Sequence, residues 1–161
     1  MAVSSELNGR IQQAVHMHMR SVVRVAYTYL QNISDAEDVA QDTFISYLQA
    51  EQLFANGEHE KAWLLRVCIN KSKNMLKSGW HKSRNPLPED LAVPPPQENE
   101  VLSTVLTLPE KYRIPIHLYY YEGYSIAQIA DILSLPSATV GTRLARGKVQ
   151  LKKLLGGAFD V

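Results

Sequence analysis

Hydrophobic residues recur along most of the chain at intervals of three and four, and alternating β-branched runs are nearly absent. This spacing places apolar side chains along one face of an α-helix. The pattern predicts no sheet and seven helices, near residues 6–31, 34–50, 60–78, 98–106, 109–121, 125–133 and 137–155. The predicted fold class is therefore all-α.

One segment between the third and fourth predicted helices has no apolar periodicity. Residues 85–100, "NPLPEDLAVPPPQENE", contain five of the eight prolines and four acidic residues. This composition is typical of an extended linker. We therefore expect two small helical domains, residues 1–84 and 98–161, joined by a Pro-rich acidic linker at 85–97.

Charge is strongly segregated along the chain, although the 17 Lys and Arg and 16 Asp and Glu leave a net charge of only +1. Between Val25 and Glu60 there is no Lys or Arg. From Lys61 to Arg84 there are seven basic residues and no acidic one. Blocks of opposite sign indicate faces that meet different partners.

Several classes of protein find no support in the sequence. No apolar run approaches the roughly 18 residues of a membrane span, and "MAVSSELNGR" lacks the apolar segment of a signal peptide. The single cysteine, Cys68, excludes an internal disulfide, and His16 and His18 point in different directions on a helix. No Ser/His/Asp grouping that could activate a nucleophile and no Gly-rich phosphate loop is present. From these observations together we expect no cofactor, no metal, no enzyme activity, no membrane insertion and a cytoplasmic location.

The predicted helix at 34–50 is acidic. Ser34 and Glu37 fit a capping box at its start, whereas Asp38 and Asp42 lie beyond the first turn and share a face with Asp35. The predicted core stripe of this helix is Ala36, Ala40, Phe44 and Leu48. The acidic face is either simply solvated or a docking surface for a basic partner, and charge alone leaves both interpretations open.

The next predicted helix is basic and carries an aromatic residue. Its polar face contains Trp63, Arg66, Asn70, Lys73 and Lys77, and its core face contains Leu65, Ile69, Ser72 and Leu76. Cations follow phosphates and aromatic rings stack on bases, while an Asn can read the edge of an unpaired base. The face is typical of single-stranded nucleic acid binding; a solvated face with Trp63 partly in the core is the alternative.

The last two predicted helices have the pattern of a helix-turn-helix. Gly123 can end the preceding helix, Ser125 and Gln128 form a capping box, and Pro136 suits the start of the final helix. The final helix has a buried stripe of Val140, Leu144, Leu151 and Leu155 and a polar face of Arg143, Arg146, Gln150 and Lys153. A basic second helix is typical of major-groove recognition; an ordinary helical hairpin is the alternative.

Three segments in this order resemble the sigma-70 family of bacterial initiation factors, in its small extracytoplasmic-function (ECF) class. "DAEDVAQDTFISYL" resembles the polymerase-binding helix of that family, and "KAWLLRVCINKSKNML" resembles its promoter-melting helix. "LPEKYRIPIHLYYYEGYSIAQIADILSLPSATVGTRLARGKVQLKKLL" resembles its domain for the −35 element. The resemblance covers roughly residues 10–155.

The resemblance implies roles for individual residues. Those that would face the clamp helices of the polymerase β′ subunit are Asp35, Asp38, Gln41 and Asp42. Those that would hold the opened −10 element are Arg66, Asn70, Lys73, Asn74 and Lys77, with Asn70 helping to capture a flipped base. Trp63, from the polar face described above, is added to this set as a stacking residue. Those that would lie in or beside the −35 major groove are Thr139, Thr142, Arg143, Arg146 and Lys148.

The function that follows from the resemblance is promoter-specific transcription initiation, with catalysis residing in core RNA polymerase. The partners would be core polymerase, through its β′ and β subunits, and promoter DNA; relatives are often held by an anti-sigma factor. The alternatives are a stand-alone helix-turn-helix regulator and a protein that only occupies polymerase.

Two residues depart from the family pattern: Gly141 replaces a basic residue in "TVGTR", and Pro115 should kink or loosen its helix.

Overall fold

A computed structural model describes residues 2–50, 52–78 and 96–156. Within this part of the chain every regular element is an α-helix, so the predicted all-α class is confirmed. The helices are α1 (Ala2–Leu30), α2 (Ile33–Ala50), α3 (Gly57–Ser78), α4 (Pro96–Thr107), α5 (Glu110–Tyr120), α6 (Ile126–Leu133) and α7 (Ser137–Leu155).

The chain divides into two compact units, which we name the N-terminal unit (Met1–Asn85) and the C-terminal unit (Pro86–Val161). The first contains α1–α3 and the second contains α4–α7. Of the predicted linker at 85–97, residues 85–95 lie outside the described part of the structure. Pro96 and Gln97 belong to α4.

The core of the N-terminal unit forms where α1, α2 and α3 pack against one another. Each helix contributes a stripe of side chains that are almost fully buried: Val22, Val25, Leu30, Ala36, Val39, Ala40, Leu64, Leu65 and Ile69. Burying one large aliphatic side chain contributes roughly 1.5–3 kcal/mol. Of the predicted stripes, Leu48 and Leu76 are only half-buried, because each lies near the end of its helix.

A polar network joins all three helices of this unit. The Glu60 carboxylate on α3 lies 3.0 Å from Nε2 of His18 on α1 and accepts a 2.8 Å hydrogen bond from the Tyr47 hydroxyl on α2. Burial, followed by the interaction with Glu60, raises the pKa of Tyr47. His18 therefore packs inside the unit, whereas His16 is exposed, and no metal-binding cluster occurs among the residues that the structure describes.

The single thiol of the chain belongs to this core. Cys68 is fully buried, and its Sγ lies 3.4 Å from the Val22 carbonyl oxygen. Burial raises the pKa of Cys68 to about 12, so the neutral thiol acts as a small packing group between α3 and α1.

The connection between α1 and α2 differs from the sequence prediction. Gln31 adopts a left-handed conformation with φ of 55°, and the Asn32 side chain accepts a 2.9 Å hydrogen bond from the Asp35 amide. Asn32 therefore caps α2, which begins at Ile33. The predicted Ser34–Glu37 capping box is wrong because both residues lie inside the helix.

Another asparagine sets the start of α3. The Asn56 side chain accepts a 2.8 Å hydrogen bond from the His59 amide, and the helix begins at Gly57. The apolar spacing had predicted a start near residue 60. Gly57, Glu58 and His59 are exposed and none of them is apolar, so apolar periodicity carries no signal for the start of this helix.

In the C-terminal unit, α7 packs against α4, α5 and α6. Its buried residues are Val140, Leu144, Gly147 and Leu151; the predicted core residue Leu155 is half-buried. Gly147 lies directly against α5, where an added Cβ would be 3.0 Å from Cγ1 of Ile116 and 3.3 Å from Cβ of Tyr112. The absence of a side chain at Gly147 thus allows the two helices to approach closely.

The passage from α5 to α6 holds a buried polar pair. Helix α5 continues through Pro115, so the proline does not end it. Nε2 of His117 lies 2.9 Å from the Glu122 carboxylate, with both side chains buried. Gly123 then turns the chain with φ of +77°.

Helix α6 begins as its sequence predicts. The Ser125 hydroxyl accepts from the Gln128 amide at 3.2 Å, and the Gln128 side chain accepts from the Ser125 amide at 2.9 Å. The predicted capping box is confirmed. The capping box fixes the residue at which α6 begins. The position of α6 in turn fixes where α7 begins after the following turn.

Among the described helices, none combines the length and the apolar character required to cross a membrane.

Candidate nucleic-acid interface

The acidic face of α2 is accessible. Asp38, Gln41 and Asp42 are exposed, and Asp35 is half-buried at the capped start of the helix. The opposite side of α2 is closed by buried residues including Ala36, Val39, Ala40 and Phe44. The core thus fixes the rotation of α2 and leaves the carboxylates pointing outward.

An apolar side chain interrupts this acidic face. Ile45 is 49% exposed, and it follows Gln41 and Asp42 by one helical turn. Sequence periodicity did not single it out, because one exposed isoleucine is common on a protein surface. Its position beside three exposed polar residues makes the face amphipathic.

The polar face of α3 divides into an open part and a packed part. Asn70, Asn74 and Lys77 are exposed, at spacings of four and three residues. Arg66 and Lys73 are half-buried. The buried side of the helix includes Leu65, Ile69 and Ser72, as predicted. The exposed part of this polar face therefore offers two amides and one cation.

Trp63 has a different setting from the rest of that face. Its ring centroid lies 5.7 Å from that of Phe54 and 6.2 Å from that of Tyr47. Tyr47 and Phe54 also stack at 5.8 Å. Trp63 is half-buried in this aromatic cluster. Its packing therefore agrees with the alternative interpretation of this face, in which Trp63 lies partly in the core.

The acidic and basic helices are neighbours in space. Helices α2 and α3 pack against each other within the N-terminal unit, and buried stripes hold each in a fixed rotation. The acidic face and the amide–lysine face are consequently presented on one small rigid body.

In the C-terminal unit, most of the predicted DNA-contacting residues line one groove between α5 and the first half of α7. Its lining residues are Lys111, Tyr112, Ala138, Thr139, Thr142, Arg143 and Arg146. Three of the seven are cations and none is acidic. Lys148, the fifth predicted residue, is half-buried and does not line the groove.

The groove also contains a residue that sequence analysis missed. Lys111 precedes the predicted helix-turn-helix by 14 residues, so sequence spacing does not associate it with Arg143 or Arg146. The packing of α5 on α7 brings them together. Only the tertiary fold carries this signal.

Comparison with known protein families covers both units. A sigma-70 region 2 model matches residues 14–82, and a sigma-70 region 4 model matches residues 98–151. The chain belongs to the sigma-70 family. A sigma factor is a specificity subunit of RNA polymerase and not itself an enzyme, so this chain directs transcription initiation while catalysis resides in the polymerase.

Curated relatives place the sigma factor in the ECF class. It is 28% identical over 162 residues to the ECF sigma factor SigW of Bacillus subtilis, covering 88% of this chain and 86% of that protein. It is 30% identical over 156 residues to the ECF sigma factor SigE of Mycolicibacterium smegmatis, covering 89% of this chain and 60% of that protein.

Two solved structures share the all-helical fold of this chain. The sigma factor RpoE of Bartonella quintana, in complex with the anti-sigma factor NepR, superposes with a TM-score of 0.69 at 21% identity, covering 91% of this chain and 96% of that one. CnrH, in complex with the cytosolic domain of CnrY, superposes with a TM-score of 0.68 at 26% identity, covering 91% and 87%.

Proposed function

We propose that this sigma factor binds core RNA polymerase through the acidic face of α2, against the clamp helices of the β′ subunit. The contacting residues are Asp35, Asp38, Gln41 and Asp42. Three of them are exposed. The segment from Val25 to Glu60 contains no Lys or Arg, so no basic residue close in sequence offsets their charge. An exposed carboxylate face attracts a basic partner and raises the rate of encounter.

The polar face of α3 binds the −10 element as an opened strand. Asn70, Asn74 and Lys77 are exposed, and Arg66 and Lys73 are the half-buried cations beside them. Asn70 offers a donor and an acceptor to the edge of an unpaired base. Trp63 contributes a half-buried ring near the start of the helix.

The groove of the C-terminal unit binds the −35 element as duplex. Thr139, Thr142, Arg143 and Arg146 line it together, and an arginine can make a bidentate contact with guanine in the major groove. Lys148 is half-buried beside this region and is left as a peripheral contact. Gly141 presents no side chain to the DNA, so specificity rests on its neighbours.

One observation carries the proposal: the N-terminal unit presents an acidic face and an amide–lysine face on two helices that pack together. A stand-alone regulator needs neither the amide–lysine face of α3 nor the acidic face of α2. Such a regulator would bind duplex DNA tightly without polymerase. That behaviour separates the two functions.

A regulatory protein that covers one of these faces is a further part of the proposal. Two solved relatives were determined as complexes, one with the anti-sigma factor NepR and one with the cytosolic domain of CnrY. An exposed acidic or cationic face on this chain is a suitable surface for such a partner.

Gel filtration with bacterial core polymerase tests the assignment of α2. The wild-type chain should co-elute with the core, and the double variant Asp38→Lys, Asp42→Lys should not, because two attractive charges become repulsive. The matched control, Glu6→Lys with Glu58→Lys, changes two exposed acids of the same unit and should still co-elute. Undiminished binding by a folded Asp38/Asp42 variant would remove this assignment.

Permanganate footprinting of a promoter tests the assignment of α3. Asn70→Ala should leave polymerase binding intact and slow the appearance of unpaired thymines by roughly tenfold, as expected for about 1.4 kcal/mol lost in the transition state. Gln12→Ala, an exposed amide on α1, is the control. A rate of opening equal to wild type would refute the base-capture role of Asn70.

A further inference from the structure

We propose that His59 is a pH-sensitive anchor for the connection between α2 and α3. In its neutral form the imidazole holds residues 52–56, which we name the 52–56 segment, against the aromatic cluster around Trp63. Protonation of the ring releases the segment. The anchor itself is independent of the proposed function, whereas its effect on transcription rests on the proposed binding of the opened −10 strand by α3.

The first support is a reciprocal pair of hydrogen bonds at the start of α3. The His59 amide donates to the Asn56 side chain at 2.8 Å, and the Ala55 amide donates to Nδ1 of the His59 ring at 3.0 Å. The pair resembles a capping box, in which the third residue of a helix accepts from a backbone amide at the helix start. Glu or Gln usually occupies that third position, and in this chain it is a histidine.

These hydrogen bonds fix the protonation state of the ring. A backbone amide can only donate, so Nδ1 of His59 must accept, and the single proton of the neutral imidazole lies on Nε2. The imidazolium form carries a proton on both ring nitrogens and has no acceptor. Protonation therefore brings two donors together at the Ala55 amide and removes this hydrogen bond.

The second support is the contact of the same ring with the aromatic cluster. The His59 ring lies edge-to-face with the Phe54 ring, with 5.3 Å between the centroids and 80° between the planes. Phe54 lies 5.7 Å from Trp63 and stacks on Tyr47. The 52–56 segment thus contacts Trp63 through Phe54. Loss of the bond at Ala55 frees the residue next to Phe54.

A contact elsewhere in the segment does not respond to pH in this way. The Arg10 guanidinium on α1 donates a 2.9 Å hydrogen bond to the Gln52 carbonyl oxygen. Arginine stays protonated in proteins, and a carbonyl oxygen remains an acceptor. Acid therefore leaves the contact at Gln52 in place and removes the one beside Phe54.

Other titratable and charged groups surround this region on all three helices of the unit. They are Glu58, Glu60 and Lys61 on α3, Tyr47 on α2, and Arg10 and His18 on α1. Of these groups only His18 belongs, like His59, to the residue type that titrates between about pH 5 and 8. Nε2 of His18 lies 3.0 Å from the Glu60 carboxylate, where a ring N–H can donate in both the neutral and the protonated form. Protonation of His18 therefore preserves its contact.

An ordinary exposed histidine with an incidental contact is the alternative. His59 is exposed, so water can replace the lost hydrogen bond at Ala55. One hydrogen bond exchanged for water changes an equilibrium by roughly two- to tenfold. Protonation should therefore shift the position of the 52–56 segment without unfolding the N-terminal unit.

The effect on transcription follows from Trp63. While Phe54 is held beside it, the Trp63 ring is preorganised, and preorganisation reduces the entropy lost when a base stacks on the ring. Release of the segment removes this advantage. Acid pH should therefore slow promoter opening through the sigma factor itself.

Nuclear magnetic resonance of the isotopically labelled full chain tests the anchor. Between about pH 8 and 5.5, the Ala55 amide resonance should shift with the same midpoint as the His59 ring resonances. The ring nitrogen resonances should show the neutral proton on Nε2. His59→Asn puts a non-titrating oxygen at the position of Nδ1 and should keep the Ala55 resonance constant. His16→Asn, at an exposed histidine of α1, is the matched control and should leave the Ala55 titration unchanged.

Permanganate footprinting with holoenzyme tests the effect on transcription. The promoter is one selected by the wild-type holoenzyme from a random pool. Wild type and His59→Asn are compared at each pH, so that the pH response of the polymerase cancels. Their opening rates should agree at about pH 8, and at about pH 5.5 the wild type should be slower by roughly two- to tenfold. His16→Asn should match the wild type at both.

Three results overturn the anchor: an Ala55 resonance that does not titrate with His59, a neutral ring with its proton on Nδ1, or a titration of Ala55 that persists in folded His59→Asn. If that variant does not fold, the first two results decide in the wild-type chain. Equal opening rates at acid pH overturn the effect on transcription. The proposed function fails separately, if the wild-type holoenzyme opens no promoter, and the resonance titration then still decides the anchor.

Discussion

Gly147 shows what a single residue decides in this fold. It lies on the buried face of α7, and an added Cβ would come within 3.4 Å of Ile116 and Tyr112 on α5. Its helical neighbour Gly141 has nothing within 4 Å of the same position. The sequence contains two glycines in one helix and cannot distinguish them, because the difference arises from the partner helix.

The two glycines give opposite predictions for stability. Gly141→Ala should raise the free energy of unfolding by about 0.8–1 kcal/mol, the gain in helix propensity. Gly147→Ala should lower it by about 1 kcal/mol, since overpacking costs roughly 1–3 kcal/mol and exceeds that gain. Urea unfolding followed by circular dichroism measures both. Equal stabilisation by the two variants would show that α7 and α5 are not in close contact at Gly147.

Some properties of the predicted site residues follow from the sequence, and others depend on neighbouring elements. Asp38, Asp42 and Asn70 are exposed as expected, because helical periodicity alone determines which side of α2 and α3 faces the core. The aromatic packing of Trp63 and the place of Lys111 in the groove depend on residues from other elements. Periodicity within one helix cannot reveal such contacts.

At the scale of elements, the start of α2 shows where local motifs mislead. The pattern S-x-x-E at Ser34 is a typical capping box, but Asn32 stands two residues earlier and accepts from the Asp35 amide. The left-handed Gln31 ends α1 and aims the chain so that Asn32 takes the cap. The bodies of the seven described helices followed from periodicity. The first turns of α2 and α3 did not, whereas α6 and α7 begin where the sequence predicts.

The cap assignment yields a stability prediction. Asn32→Ala should lower the free energy of unfolding by about 1 kcal/mol, the usual cost of losing an N-cap. Ser34→Ala, on an exposed side chain in the first turn, should change it by less than about 0.5 kcal/mol. Thermal unfolding of both variants measures the contrast. A larger loss for Ser34→Ala would restore the capping box that the sequence suggested.

At the scale of the molecule, the net charge of +1 is the sum of acidic and basic surfaces that lie on different helices. The acidic and basic faces of the N-terminal unit lie on α2 and α3, which share one core. The cationic groove of the C-terminal unit is built from α5 and α7 around a separate core that includes Ile116 and Leu151. Each surface is therefore supported within its own unit. Periodicity predicted the buried stripes of α2, α3 and α7 apart from Leu48, Leu76 and Leu155, which are half-buried.

Separate cores predict that each unit folds alone. Residues 1–85 and 86–161, expressed as two chains, should each unfold cooperatively, and the sum of their circular dichroism spectra should match that of the whole chain. Units of this size are near the lower limit for independent stability, so midpoints below that of the whole chain are expected. A non-helical spectrum for either piece would contradict the prediction.

Function should divide along with structure. The 1–85 piece should compete with the whole chain for core polymerase, because the acidic face of α2 lies within it. The same piece carrying Asp38→Lys and Asp42→Lys is the control and should not compete. The 86–161 piece should leave this competition unchanged while retaining the groove that contains Arg143 and Arg146. Competition by the 86–161 piece equal to that of 1–85 would place the principal polymerase contact outside α2.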